Sequence, residues 1–280
     1  DHLDYHKSLE DYFQAKAKLF HSLKDGAVSV INSDDAYGKR LVSMCRQPVI
    51  TYGLDSSADV FASDIIMDTD STSFILNSGG VRTNIRSRLI GKHNVYNVLA
   101  AGAWALNKRI EPAVFAGAVE EFTPVPGRLE RIDAQGDVRV FVDYAHTQDA
   151  LFNVISTLRQ ITRNKIIVVF GCGGDRDKLK RPAMGKVTTE LADFAVITSD
   201  NPRSEDPQAI IEDITGGIKK ENYSVVPDRK AAIRTALSKA GAGDIVLIAG
   251  KGHETYQIIK DKVLHFDDRE AVLECLRSRN

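Results

Sequence analysis

Arg203 stands at the end of a short apolar run in the stretch VITSDNPRSEDP, residues 196–207, directly after Ser199-Asp200-Asn201-Pro202. Asn-Pro and small polar residues are ordinary turn chemistry where a strand stops. An arginine is less ordinary there, because its planar fork of donors fits a carboxylate or a phosphate. Other apolar runs end in a similar way, in Asp143-Tyr144-Ala145-His146, Gly171-Cys172-Gly173-Gly174-Asp175-Arg176, Asp228-Arg229 and Gly250-Lys251-Gly252-His253-Glu254. Charged, ligand-capable residues after every run of one region point to a shared binding rim.

The glycine loop FGCGGDRD invites a dinucleotide reading and fails on spacing, since G-x-G-x-x-G needs glycine where Arg176 stands. With an arginine there it reads as an anion-binding loop or as a structural turn. No G-x-x-x-x-G-K-[ST] occurs: the Gly-Lys pairs at Gly38, Gly91, Gly185 and Gly250 are followed by Arg40, His93, Val187 and Gly252. The chain therefore contains no Walker phosphate loop. In SLEDYFQAKAKLFHSL, Ser8 and Asp11 have capping-box spacing, and a helical projection puts Leu9, Tyr12, Phe13, Phe20 and Leu23 on one face around Lys16. A lysine buried there would have a depressed pKa and a reactive amine; a lysine that snorkels along the stripe would keep its charge in water. Asn94 and Asn97, at i and i+3 of a helix, present two carboxamides to one side, a pattern that reads a purine edge or merely caps the helix. His2 and His6 are metal-ligand types without a defined partner set.

These residues need elements to hold them. The first half mixes strand-like runs such as GAVSVIN and PVITYG with a long helical pattern near residues 92–107. Two prolines and a glycine in FTPVPGRLERI break the pattern, which places a domain boundary near Pro126 and divides the chain into 1–126 and 127–280. Beyond it, VRVFVDY, KIIVVFG, FAVITS, YSVVP and DIVLIAG alternate with helix-like segments at 148–163, 182–192, 207–220 and 229–241, and a last helix starts near Asp267. Such alternation predicts βαβ units, a parallel sheet covered on both faces, and ligands at the carboxyl ends of its strands.

Composition narrows the functions. With 37 basic and 38 acidic residues the net charge is −1, and no basic stripe interleaved with aromatics suggests nucleic acid. No apolar run approaches the roughly 20 residues that span a bilayer, so no membrane insertion is expected. Cys45, Cys172 and Cys275 are scattered, which fits a reducing cytoplasm, and Cys172 reads as a small side chain in a tight loop rather than a nucleophile.

The motifs HLDYH, YFQAKAKLF, GKHNVYNVLAA, PGRLERI, DYAHT, FGCGGDRDKLKRP, DNPR and AGKGHE occur in this order. Together they resemble the Mur ligases, in particular the diaminopimelate-adding MurE type, over essentially the whole chain. The resemblance implies an α/β protein: part of a central P-loop-type ATPase domain, followed by a Rossmann-like C-terminal domain with a mostly parallel sheet that binds the amino acid. It also implies that a UDP-binding domain and the phosphate loop lie upstream, so the chain reads as a fragment, inactive by itself. The implied reaction is ATP-dependent amide ligation through an acyl phosphate, adding meso-diaminopimelate to UDP-N-acetylmuramoyl-L-alanyl-D-glutamate in peptidoglycan precursor synthesis. ATP and Mg2+ are the implied cofactors, and a cytoplasmic monomer is expected.

Residue by residue, Lys16 resembles the lysine these ligases carbamylate to N6-carboxylysine, a magnesium ligand beside His2. Asn94 and Asn97 would contact adenine, Arg128 the ATP phosphates, Asp143 the ribose and His146 the nucleotide. Arg176, Asp200, Asn201, Pro202, Arg203, Gly250 and Glu254 resemble the diaminopimelate pocket, with Arg203 on the far carboxylate and Glu254 on the far amino group. A charge-assisted bond there is worth about 1.5–3 kcal/mol, which lysine, lacking that carboxylate, would forgo. Where the family has proline after DYAHT, this chain has Gln148, which predicts only a looser helix start. A binding-only module and a ligase that adds L-lysine remain the competing readings; a nucleotide-dependent oxidoreductase lacks its fingerprint.

Overall fold

A computed structural model of the protein describes residues 7–133 and 137–278. It divides into two compact units, between Thr123 and Pro124. The expected boundary at Pro126 lies slightly later, because Arg128 N donates to Val125 O (3.1 Å) and draws the Pro124–Pro126 segment into the second unit's first loop.

In the first unit, Ser8 accepts from Asp11 N (3.1 Å) and opens α1 (Leu9–His21), as the capping-box spacing predicts. Then follow β1 (Ser29–Asn32), α2 (Ala36–Met44), β2 (Val49–Gly53), β3 (Val60–Met67), β4 (Thr72–Ser78), β5 (Val81–Ser87), α3 (Lys92–Asn107) and α4 (Pro112–Glu121). The strands form one sheet in the order β1-β2-β3-β4-β5, parallel from β1 to β3 and antiparallel from β3 to β5. Val95, Val98, Leu99 and Ala103 of α3 bury against Val60, Ala62, Phe74, Leu76 and Ile85 of the sheet. That burial fixes which side of α3 can carry Asn94 and Asn97.

The second unit contains β6 (Glu130–Ile132), β7 (Arg139–Asp143), α5 (Gln148–Ile161), β8 (Ile166–Phe170), α6 (Lys180–Leu191), β9 (Phe194–Ile197), α7 (Pro207–Thr215), β10 (Tyr223–Val225), α8 (Arg229–Lys239), β11 (Ile245–Ala249), β12 (Tyr256–Ile259), β13 (Lys262–His265) and α9 (Asp268–Arg277). The main sheet runs β10-β9-β8-β11-β7-β6, with β7 to β11 parallel and β6 antiparallel to β7. Every residue of β8 and β11 is buried, as continuous apolar runs in a two-sided sheet require.

Right-handed crossovers determine the layers. The steps β7 to β8, β8 to β9 and β9 to β10 run one way across the sheet, so α5, α6 and α7 share a face and pack on one another. The step from β10 back to β11 reverses direction and puts α8, with α9, on the opposite face. Val140, Val142, Ile167, Val169, Val196, Val246 and Ile248 bury there against Ile233, Leu237 and Val272. The five parallel strands match the five predicted runs. The helix that falls furthest short of its predicted end is α7, which stops at Thr215, before Gly216-Gly217, where a Cβ on Gly217 would lie 2.0 Å from Pro182 O. The β12–β13 hairpin had no expected counterpart. Thr147 caps α5 by accepting from Ala150 N (3.2 Å), so the start at Gln148 is held without proline.

Candidate functional site

The carboxyl ends of β7, β8, β9 and β11 deliver the polar loops of the second unit to one rim. Leaving β9, Asp200 is 7% and Asn201 2% exposed, so both side chains need internal partners. Asp200 Oδ1 accepts from Asn201 N (2.6 Å), and its carbonyl accepts from Gln257 Nε2 (2.7 Å). Asn201 Nδ2 donates to Glu254 Oε2 (2.8 Å), while its Oδ1 accepts from Ile258 N (2.9 Å) and Lys251 Nζ (3.3 Å). Gly250 has φ 117, and a Cβ there would fall 2.7 Å from Asp200 Oδ2, so only glycine lets the β11 loop pass so close to that carboxylate.

Arg203 sits in the left-handed region at φ 51. Its N–H donates to Ile258 O (3.0 Å), and its carbonyl accepts from Lys260 N (2.7 Å), so the β12–β13 hairpin grips its backbone from both sides. One guanidinium nitrogen, Nη1, donates to Gly174 O (2.8 Å) in the glycine loop. Among the described residues it forms no ion pair; the nearby Asp175 carboxylate instead accepts from Ser204 (2.6 Å). Arg176 is exposed and likewise makes no ion pair among the described residues. Pro202 is buried, with the backbone of Gly174 against its carbonyl.

Two buried arginines support this pocket from below; Arg229 was read from the sequence only as part of the rim, and Arg181 was not singled out. Arg229 donates Nε and Nη2 to both oxygens of Asp268 (2.7 and 2.8 Å) and Nη2 to Ala249 O (3.0 Å), with Nη1 4.0 Å from Asp200 Oδ2. Arg181 holds Glu205 (2.9 and 3.0 Å) and Asp213 (2.9 Å) and reaches Gly173 O (3.3 Å). Glu205 in turn accepts from Asp175 N (2.6 Å), which ties the glycine loop to the loop after Arg203. The Arg181 bond, foremost, lowers the Glu205 carboxyl to about 2.

A second cluster surrounds Tyr144, another residue without an assigned role. Its ring is approached by His146 (centroids 4.6 Å), His253 (5.3 Å) and the Arg128 guanidinium (5.3 Å). His146 Nδ1 lies 2.8 Å from Tyr144 O; a carbonyl only accepts, so Nδ1 carries the proton and Nε2 is the acceptor of the neutral ring. Asp143 accepts from Leu129 N (2.7 Å) and Ala145 N (2.8 Å), so its carboxylate shapes the Arg128 loop. Gly127, at φ 70, comes so close to the β11 loop that a Cβ would lie 2.3 Å from His253 N. The two clusters are therefore joined through backbone.

In the first unit the projection of α1 needs correcting. Lys16 is exposed, with Nζ 5.0 Å from the Tyr12 ring centre, and Leu9 is 53% exposed. The covered side carries Phe13 and Ala17, because α2 meets it there through Tyr37 and Arg40. Angular position gave the stripe, but not which part of it another helix would cover. His2 lies outside the described residues, and among those described no group of three or more His, Cys, Asp or Glu side chains could hold a metal. Capping by Asn94 is also corrected: Gly91 is the N-cap, and Asn94 Nδ2 instead donates to Ile90 O (2.9 Å). Asn97 Nδ2 donates to Asn94 Oδ1 (3.0 Å), so the two carboxamides do share a face. Cys172 is buried 3.6 Å from Met184 Sδ, and burial pushes its thiol up to about 12, consistent with an inert side chain.

Two family models match the chain: the Mur ligase middle domain over residues 1–105 and the Mur ligase glutamate ligase domain over residues 127–252. The UDP-N-acetylmuramoyl-L-alanyl-D-glutamate–2,6-diaminopimelate ligase of Syntrophomonas wolfei is 44% identical over 284 residues, covering all of this chain and 58% of that protein. A solved structure of a ligase of the same name is 38% identical, with a TM-score of 0.72, covering the whole chain and 58% of its own. The Thermotoga maritima MurF ligase, solved in complex with ADP, shares the fold at a TM-score of 0.71 and 18% identity, covering the whole chain and 60% of its own. The chain thus spans well under two thirds of the length of the relatives it matches.

Proposed function

The chain belongs to the Mur ligase family, and on that premise we propose that it is part of an ATP-dependent amide ligase adding meso-diaminopimelate to UDP-N-acetylmuramoyl-L-alanyl-D-glutamate. The second unit is read as the amino-acid site. The observation that carries this reading is the opposed arrangement around the β9 exit: Arg203 with a guanidinium that has no acid partner among the described residues, against Asp200 and Glu254 joined through Asn201. A ligand end bearing both a carboxylate and an ammonium matches that pair of charges.

In the proposed reaction ATP transfers its γ-phosphoryl group to the glutamyl side-chain carboxylate. The amine nitrogen of diaminopimelate attacks the acyl carbon, the amide bond forms, the C–O bond to phosphate breaks, and the amine loses a proton. Activation is needed because a carboxylate is a poor electrophile. Arg203 would hold the far carboxylate of diaminopimelate by its uncommitted donors, and Arg176 would add positive charge at the glycine loop. Asp200, Asn201 and Glu254 would receive the far ammonium, with Pro202 and Gly250 shaping the wall. In the second unit, Arg128 and His146 beside the Tyr144 ring suit the ATP phosphates and the nucleotide, and Asp143 the ribose; in the first unit, the paired carboxamides of Asn94 and Asn97 suit an adenine edge. Magnesium would neutralise phosphate charge when bound; His2 and a carbamylated Lys16 are its proposed ligands, and no step is derived through them. A monomer in the cytoplasm, without nucleic-acid partners, remains the proposed setting, and among the described residues no helix is long and apolar enough to cross a membrane.

The test is ligation by the full-length gene product, offering UDP-N-acetylmuramoyl-dipeptide and ATP with meso-diaminopimelate or L-lysine. Product with diaminopimelate alone is expected. Product with lysine alone would keep the ligase and remove Arg203 as selector; no product with either would favour a binding-only module.

A further inference from the structure

Lys251 is fully buried, with 0% of its surface exposed, and no step above uses it. Its Nζ donates to Asn201 Oδ1 (3.3 Å) and to Tyr256 O, and lies 3.5 Å from Glu254 Oε2. Three acceptors match the three donors of an ammonium, whereas a neutral amine would turn its lone pair toward one of them. Burial, the largest influence, draws the amine below the usual lysine range, and the nearby Asp200 and Glu254 oppose it.

The contacts of Lys251 decide the orientation of a neighbour. Asn201 Oδ1 receives both the Lys251 ammonium and the Ile258 N–H, so Nδ2 is left to face Glu254. Flipping the carboxamide would set Nδ2 against two donors and its oxygen against a carboxylate. Both contacts to Glu254 fall on Oε2, and among the described residues Oε1 carries no hydrogen bond.

We propose that Lys251 is a specificity-determining positioning residue: it locks Asn201 so that Glu254 Oε1 faces the ligand, where a substrate ammonium would meet it. This deepens the amino-acid-site reading above and rests on it. Removing the lysine frees the carboxamide, while the adjacent ring cluster around Tyr144 keeps its own contacts.

Lys251→Met retains bulk without the donors. In the full-length enzyme it is expected to raise the KM for diaminopimelate on the order of tenfold, the size of a lost charge-assisted bond, with the KM values for ATP and the UDP-dipeptide unchanged. Because the lysine acts through Asn201, the same substitution made in Asn201→Ala should change that KM by less than about twofold, a non-additivity expected of residues that share contacts. A purely structural role would lower kcat without singling out the KM for diaminopimelate, and its effect would add in the double variant; either result overturns the proposal. A ligand-free readout separates this inference from the functional one. The side-chain amide resonance of Asn201 in the 280-residue chain should shift and broaden in Lys251→Met. A resonance unmoved by the substitution refutes the lock even if the enzyme ligates diaminopimelate, and a moved resonance supports it even if the wild type does not.

Discussion

Arg203 divides its donors: Nη1 is committed to Gly174 O at 2.8 Å, and the rest of the fork has no acidic partner among the described residues. The committed donor fixes the plane, which reduces the conformational entropy lost when a ligand carboxylate arrives. Arg203→Ala in the full-length enzyme is therefore predicted to raise the KM for diaminopimelate by about 10- to 100-fold, the equivalent of about 1.5–3 kcal/mol, with a smaller change in kcat. An unchanged KM, with lysine still rejected, would refute the role. The residue type and its place after an apolar run were legible in the sequence. What was not legible is that its backbone is held by a hairpin more than fifty positions away, at Ile258 and Lys260. Lys251, Arg229 and Tyr144 were placed on the rim, but their roles were not legible for the same reason: a side chain gains its role from partners distant in sequence. Lys16 shows the converse: its angular place on α1 was legible, but which of the two readings held, burial or an exposed head, was decided by where α2 packs, and the lysine is exposed.

At the scale of elements, the parallel sheet was readable because β8 and β11 are unbroken apolar runs bounded by turn residues. The β12–β13 hairpin was not, since its strands are short and largely exposed and lack the alternation a half-buried strand carries. Two loops, after β8 and after β9, are clasped by Arg181 and Glu205. Glu205, which titrates near 4.5 when unperturbed, is lowered to about 2 by that arginine. A depressed carboxylate pKa contributes stability that is complete above the unfolded value and is lost as pH falls through the folded one. Wild type is thus predicted to melt above Glu205→Gln at pH 6, with the gap closing as pH drops from about 4.5 toward about 2. Thermal melts of both proteins across that range measure it, and a gap independent of pH would show that the clasp does not depend on the charge.

For the molecule as a whole, each unit has its own hydrophobic core, one between α3 and its sheet and one between α8, α9 and theirs. The fold class, α/β with mostly parallel sheets, is borne out. The Walker phosphate loop is absent from the sequence, and nothing among the described residues gathers a metal site. The 280-residue chain by itself is accordingly predicted to hydrolyse no ATP above background. Phosphate release at a rate matching the full-length enzyme would overturn that prediction and require a nucleotide site of a different kind.

Gly127 and Gly252 approach one another closely enough that a Cβ on Gly127 would lie 2.4 Å from the Gly252 carbonyl carbon. Arg128 follows the first glycine, and Lys251 and Glu254 flank the second. No side chain intervenes between the two backbones, so on the roles proposed for Glu254 and Arg128 the span between them behaves as a fixed ruler. For inhibitor chemistry, a compound that joins an amino-acid head to an anionic tail needs one spacer length, and a series that varies only that length should show a sharp optimum rather than a plateau.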